Sequence, residues 1–248
     1  MDWKISHIAE TGSTNADMAA LAARDGVGEG FVVWADSQTA GRGRQGRTWF
    51  SRPGDGLCFS MLLKPNAKPE MAATLPLVAG VAVASALEQF LPSAEIAVKW
   101  PNDILCGGRK ICGILCEMAA QGDSVRHVIA GIGINVNLPA NGLPAEIAET
   151  ATSMRILSGK EFSPGEILNA VLASFARCYA RWQEAGLAAV KGELDARDAL
   201  RGRRVEMRLL GKPFSGTAVG IAESGALLLR LDDGATEEVF SGEAHIVR

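Results

Sequence analysis

Gln38-Thr39-Ala40-Gly41-Arg42-Gly43-Arg44-Gln45-Gly46-Arg47-Thr48-Trp49 lies between two apolar runs, 31–36 and 57–63, that read as buried strands. No regular element is expected through it. Glycine loses the most entropy on ordering, so such a loop is costly unless a partner offsets the ordering. Arginine forks hold carboxylate or phosphate bidentately, and backbone N–H groups in glycine-rich turns converge on anions. Trp49 adds a flat apolar wall for a ring. The local chemistry points to a loop that closes over an anionic, ring-bearing small ligand. A solvated basic segment and a minor-groove arm are the competing readings. Both weaken because the loop joins two strands. A Walker-type phosphate loop is excluded, since no G-x-x-x-x-G-K-[ST] is present.

The chain has 248 residues, 48% hydrophobic and 21% charged, enough for one large domain and a small one. Its net charge of −3 argues against nucleic acid as a partner by bulk electrostatics. The five cysteines are 58, 106, 112, 116 and 178, mostly in apolar runs, which suits a reducing cytoplasm. Cys112-x-x-x-Cys116 has no second pair or nearby histidine to complete a metal site. The start, Met1-Asp2-Trp3-Lys4, is polar, and no leader is expected. The uncharged stretch 71–87 carries Pro76 and Gly80 and reads as a buried helix, so no membrane is expected as a partner.

In chain order, 3–9 reads as a strand, and Ser13-Thr14-Asn15 opens a helix to about residue 24. Two readings of Ser13, Thr14 and Asn15 stay open: simple capping, or a helix start that also hydrogen-bonds a ligand. A long apolar helix is expected over 75–90, then a strand over 96–100. In Lys99-Trp100-Pro101-Asn102-Asp103, Pro101 stiffens a turn from which Asn102 and Asp103 project; an ordinary Asx turn competes with contacts to phosphate or Mg²⁺. Residues 104–106 and 109–118 form a hairpin around Gly107-Gly108. Lys110, just inside its second strand, is either a solvent-facing lysine or a partner of the Gly/Arg loop. A strand over 125–134 runs into Gly131-Ile132-Gly133-Ile134-Asn135-Val136-Asn137, where two glycines allow close approach of a ligand ring. Helices are expected over 143–149, 163–185 and 187–200. Short strands at 205–210, 214–222, 226–231, 237–240 and 245–247, with a turn at Gly211-Lys212, make a small β-barrel-like module.

Taken together, Gly41 to Trp49, Lys99 to Asp103, Arg109-Lys110-Ile111-Cys112-Gly113-Ile114-Leu115 and Gly131 to Asn137 stand in the order and spacing of the biotin–protein ligases, and the chain resembles that family from about residue 5 to its end. The resemblance implies an α+β catalytic domain, 1–200, with a mixed β-sheet and helices packed on it as in class II aminoacyl-tRNA synthetases. It implies an SH3-like C-terminal domain, 201–248. It also implies a two-step, ATP-dependent, AMP-forming reaction. MgATP activates biotin to biotinyl-5′-AMP, and the biotinyl group then passes to a lysine of biotin carboxyl carrier protein.

Carried over residue by residue, the resemblance makes Lys110 and Arg44 catalytic. It gives Ser13, Thr14, Asn15, Gln38, Gly41, Arg42, Arg44, Lys110 and Gly113 to biotin. Arg47, Trp49, Lys99, Asn102 and Asn135 go to the nucleotide, and Asp103 to Mg²⁺. The ureido ring is a neutral donor–acceptor group, for which Ser, Thr and Gln are apt partners. Lipoate–protein ligases and octanoyltransferases share the fold but lack the Gly-Arg-Gly-Arg-x-Gly-Arg loop. The catalytic pattern begins by residue 5, without the winged helix-turn-helix of the repressor members, so no operator binding is expected. The family's Gly-Glu-x-x-x-Arg ending is one residue longer here, and Arg248 takes no site role. An open sheet edge would serve a homodimer or a carrier strand.

Overall fold

The computed structural model describes residues 1–24, 26–209 and 212–247; Leu210, Gly211 and Arg248, on which parts of the expected strand, turn and terminus fall, lie outside them. The larger sheet has seven strands: β1 (Lys4–Thr11), β2 (Phe31–Gln38), β3 (Gly56–Leu63), β4 (Ile96–Lys99), β5 (Asp103–Cys106), β6 (Arg109–Gln121) and β7 (Ser124–Asn135), in the spatial order β1-β2-β3-β7-β6-β5-β4. Only β1 and β2 pair in parallel, so the sheet is mixed as expected.

Period-2 alternation decides what each face does. Along β3, Leu57, Phe59, Met61 and Leu63 enter the main core. There they meet α3 (Leu75–Phe90), which continues from the single turn α2 (Pro69–Ala72), and α5 (Pro164–Ala185). The stretch 69–90 is long and apolar enough to cross a membrane, but 72% of its most apolar window is buried against this core. Ser163 caps α5 by accepting from the Glu166 N–H, with Pro164 in the first turn. Further along α5, Phe175, Tyr179 and Trp182 stack at 5.5 Å intervals. The Trp182 indole donates to Thr74 and the Tyr179 hydroxyl to Glu29, so the polar tips of these buried rings are satisfied.

The opposite face is covered only in part. Helix α1 (Thr14–Ala22) seats Met18 on Val33, Leu62 and Ile129, and the rest of that face is open. The functional cavity forms there.

Two helix expectations are corrected. The 143–149 stretch forms turns, with one 3-10 turn at Ala140–Gly142, because its side chains line a cavity and lack a core-facing stripe. A short helix, α4 (Met154–Ser158), follows instead, capped by Ser153. The 187–200 helix breaks into a 3-10 segment, Gly186–Val190, and α6 (Lys191–Asp195). Residues 197–199 then pair with β4, where Val98 N–H donates to Arg197 C=O and Ala199 N–H to Val98 C=O. Tertiary pairing with an open strand edge overrides the local helix preference.

The C-terminal module is a five-stranded antiparallel sheet of β8 (Arg204–Leu209), β9 (Lys212–Ile221), β10 (Leu227–Arg230), β11 (Thr236–Val239) and β12 (His245–Ile246), ordered β11-β10-β9-β8-β12. Its end strands do not pair with each other among the described residues, so the expected barrel is an open sheet. It is tied to the larger domain where the Trp100 indole donates to the Gly225 carbonyl at 3.0 Å.

Candidate functional site

On the open face, β3, β7 and β6 lie side by side and two cross-strand rows form a floor. One row is Ser60, Gly131 and Leu115; the next is Cys58, Gly133 and Gly113. The sequence left the space over the two β7 glycines for a ligand ring. The structure fills it with the protein's own side chains. A Cβ on Gly131 would stand 2.0 Å from Asn15 Oδ1, and one on Gly133 would stand 2.4 Å from Trp49 Cε2. The Trp49 ring also reaches Gly113, where a Cβ would meet Cζ3 at 3.0 Å. Glycine is required at these positions because side chains from α1 and from the Gly/Arg loop press onto the bare backbone.

Ser13, Thr14 and Asn15 are 5%, 3% and 6% exposed, and the Ser13 side chain makes no cap hydrogen bond. Simple capping therefore does not describe this helix start. The Thr14 N–H and hydroxyl both donate to Gln38 Oε1, at 2.8 and 3.1 Å. Ser60 Oγ lies 2.8 Å from Thr14 Oγ1 and donates to Asn15 Oδ1 at 2.6 Å. The Asn15 amide nitrogen donates to Glu117 at 2.6 Å and to the Leu115 carbonyl at 3.3 Å. The result is a polar, internally bonded end of the cavity.

The Gly/Arg loop is more regular than expected. Arg42 and Thr48 form an isolated antiparallel bridge, and Arg44–Gly46 makes a 3-10 turn with Gln45 at φ 57°. The Gly43 N–H donates to Arg47 C=O and the Trp49 N–H to Gly41 C=O, so the loop folds as a small hairpin. This hairpin holds its cations apart. Arg44 donates to Asn102 Oδ1 at 3.2 Å, while the Asn102 amide donates to the Ile114 carbonyl at 2.7 Å. Arg47 forks onto Glu243 of the C-terminal module. That hydrogen bond raises the Arg47 pKa. For Glu243, partial burial pushes upward but the Arg47 hydrogen bond and charge prevail, leaving its pKa below the ordinary 4.5.

Lys110 Nζ lies 2.6 Å from Asp103 Oδ1 and 5.6 Å from the Trp49 ring centre. That carboxylate oxygen is buried, and the contact is a close charge pair. Lys110 is fixed along its backbone by the 150–152 segment, its N–H donating to Thr150 and its carbonyl accepting from Thr152. Arg42 and Lys99 enter no ion pair among the described residues.

These groups enclose a cavity of about 1020 Å³. Of the residues named from sequence, Ser13, Thr14, Asn15, Gln38, Arg42, Arg44, Arg47, Trp49, Lys99, Asn102, Asp103, Lys110, Gly113 and Asn135 all line it. Gly41 does not; it closes the base of the loop hairpin. Asn135 uses its amide to hold the Thr152 carbonyl at 2.9 Å, steadying the wall that fixes Lys110. Sequence reading missed the wall at Pro144, Ile147 and Thr150 and the rim at Arg203, Glu243 and His245. It also missed Ser60, which is fully buried, and Glu117, which is exposed beside Asn15. For Ser60 the only signal was a small polar residue inside an otherwise apolar strand; Glu117 stands in the exposed half of β6 and reads as an ordinary surface carboxylate. No group of three or more His, Cys, Asp or Glu side chains suited to a metal occurs among the described residues.

Comparison with known proteins agrees with this geometry. Residues 13–135 match the biotin/lipoate A/B protein ligase family, and residues 201–246 match the biotin protein ligase C-terminal domain. A biotin–[acetyl-CoA-carboxylase] ligase of Paracoccus denitrificans is 36% identical over 241 residues, covering 95% of this chain and 99% of the relative. The bifunctional ligase/repressor BirA of Bacillus subtilis is 36% identical over 90% of this chain and 68% of its own length. Among solved structures, the Aquifex aeolicus biotin protein ligase in complex with biotin and ATP superposes with a TM-score of 0.82 at 32% identity, covering 99% of both chains.

Proposed function

The chain belongs to the biotin/lipoate A/B protein ligase family and is an ATP-dependent biotin ligase, and from that premise we propose how its cavity performs the reaction. The observation that carries the proposal is the gathering of Lys110, Arg42, Arg44 and Arg47 around one cavity whose far end is lined by Ser13, Thr14, Asn15 and Gln38. The neutral hydrogen-bonding end suits the ureido ring, and the cationic middle suits the biotin carboxylate beside the α-phosphate of ATP. A volume of about 1020 Å³ accommodates both ligands.

In the first step a carboxylate oxygen of biotin forms a bond to the α-phosphorus while the bond to pyrophosphate breaks. Two anions approach each other, so fixed cations lower the barrier most. Lys110 is a fixed cation beside the floor. Its partner Asp103 balances it before ligands arrive, and its backbone is held on both sides, which keeps the ammonium in place at low reorganisation cost. Arg44, anchored on Asn102, lies where the loop closes over the reacting groups. Arg47, Lys99 and Asn102 face the nucleotide, with Trp49 as the wall between the two ligands. Asp103 is the carboxylate that would hold a Mg²⁺ ion brought with ATP, an ion that usually keeps only one or two protein carboxylates. The ion would neutralise phosphate charge.

In the second step the lysine amine of a biotin carboxyl carrier protein attacks the anhydride carbonyl. AMP leaves, a proton is lost, and an amide remains. We place this reaction in the cytoplasm, where ATP is available and the five cysteines stay as thiols, as all are here. The test is biotin-dependent exchange of labelled pyrophosphate into ATP. Exchange in the absence of carrier supports the adenylate; failure of exchange with an otherwise folded protein overturns it.

A further inference from the structure

Two side chains that do not line the cavity control one that does. Ser60 sits on β3 and Glu117 on β6, and Asn15 spans the row between them, across Gly131 of β7. Both Asn15 amide hydrogens are used, one by Glu117 and one by the Leu115 carbonyl. A carboxamide oxygen only accepts, so the 2.6 Å contact with Ser60 Oγ takes the serine proton. Turning the amide over would set its oxygen against a carboxylate and a carbonyl, two acceptor–acceptor contacts in a 6% exposed site. The orientation is therefore fixed, and the one hydrogen-bonding position left on Asn15 is an acceptor on Oδ1.

We propose that Glu117 and Ser60 are positioning residues that lock the Asn15 carboxamide as an acceptor, so that the site selects a ring bearing N–H donors. This rests on the reading of the Ser13–Asn15 end of the cavity as the biotin end. A ureido ring supplies such donors. The dithiolane of lipoic acid, the other substrate class in the family's description, has none. A site built to bond a donor discriminates against a ligand lacking it, because its polar group is left without a partner. Gly131 belongs to the same device, since a methyl there would stand 2.0 Å from Asn15 Oδ1 and expel it.

The experiment compares wild type with Glu117→Gln, Glu117→Leu and Ser60→Ala by biotin-dependent pyrophosphate exchange, with lipoic acid as a competitor. Glutamine keeps an acceptor for the Asn15 amide and leucine does not. Losing one such contact should raise the KM for biotin about tenfold in the leucine and alanine variants, with kcat within about threefold. Glu117→Gln should stay within about threefold of wild type, and inhibition by lipoic acid should be unchanged throughout. If Glu117→Leu does not fold, as judged by circular dichroism, Ser60→Ala carries the test alone. The proposal is overturned if the KM for biotin does not move in the folded variants. It is equally overturned if Glu117→Gln is as damaging as Glu117→Leu, or if lipoic acid weakens in parallel with biotin. Absence of exchange in wild type would instead refute the reading of the cavity, a separate result.

Discussion

Gly133→Ala should disable ligand binding while leaving the fold nearly intact. A Cβ at this position would stand 2.4 Å from Trp49 Cε2 and 2.7 Å from both Cζ2 and Nε1, against about 3.4 Å for ordinary contact, so the indole must retreat by roughly 3.4 − 2.4 = 1.0 Å. The sheet cannot give way, because β7 is paired on both sides at this residue, with Cys58 and Gly113. The loop that carries Trp49 can. It is held by its own small hairpin, the Arg44–Asn102 contact and the Arg47–Glu243 pair. The misfit therefore falls on loop closure. Overpacking of this size costs about 1–3 kcal/mol, which converts to roughly a five- to 150-fold loss in the apparent affinity of ligands that need the closed loop. The assay measures KM for biotin and ATP by pyrophosphate exchange, together with the thermal midpoint. We expect both KM values to rise while the midpoint moves by no more than about 4 °C, since the closed loop adds little to global stability. Unchanged KM values would show that Trp49 does not form the wall on which the closed site depends. A large drop in the midpoint with unchanged KM would place the misfit in the sheet instead.

Lys110→Ala should slow adenylation by on the order of a hundred- to thousandfold while biotin still binds, since it removes a cation beside the floor and leaves the half-buried Asp103 unpaired; single-turnover kinetics and calorimetry check the two parts. Glu243→Gln should raise the KM for ATP by no more than about fivefold, because the Arg47 side chain is 61% exposed and such pairs contribute at most about 1 kcal/mol. As the Glu243 pKa is lowered in the folded protein, the pair's contribution is complete above the ordinary value of 4.5 and fades only as pH falls through the lower folded value. Wild type and Glu243→Gln should accordingly show parallel pH–rate profiles between about pH 6 and 9. Arg44→Gly, which removes the loop's link to Asn102, should speed release of biotinyl-AMP more than it slows its formation; a chase of labelled adenylate measures the release. Burial pushes the Cys58 and Cys112 thiols up, so a disulfide reagent at neutral pH should modify these two only after denaturation; all five cysteines should then react.

Local pattern alone determined most of the strands, the helices α1, α3 and α5, and the position of the Gly/Arg loop. Alternation and 3.6-residue periodicity are properties of neighbours in sequence, and the core that reads them is large. The Gly/Arg loop was legible as a ligand-covering loop, because arginine and tryptophan among glycines have few structural uses; the other cavity residues were named only through the resemblance to the biotin–protein ligases. Tertiary structure decided what those patterns left open. The 187–200 stretch has helical composition, yet β4 offers an unpaired edge and takes 197–199 into backbone pairing. For Ser13, Thr14 and Asn15 the local pattern left capping and ligand contact open, and burial against β3 makes Thr14 and Asn15 members of a cross-strand network. Gly131 and Gly133 read as room for a ligand, whereas Asn15 and Trp49 fill it. Ser60 and Glu117 carried at most a weak local signal, and Glu243 stood in the family's Gly-Glu ending without a role assigned to it. Each acts on a partner 45, 102 or 196 residues away, and a contact at that separation is set by which strands become neighbours, which no local window of the sequence contains.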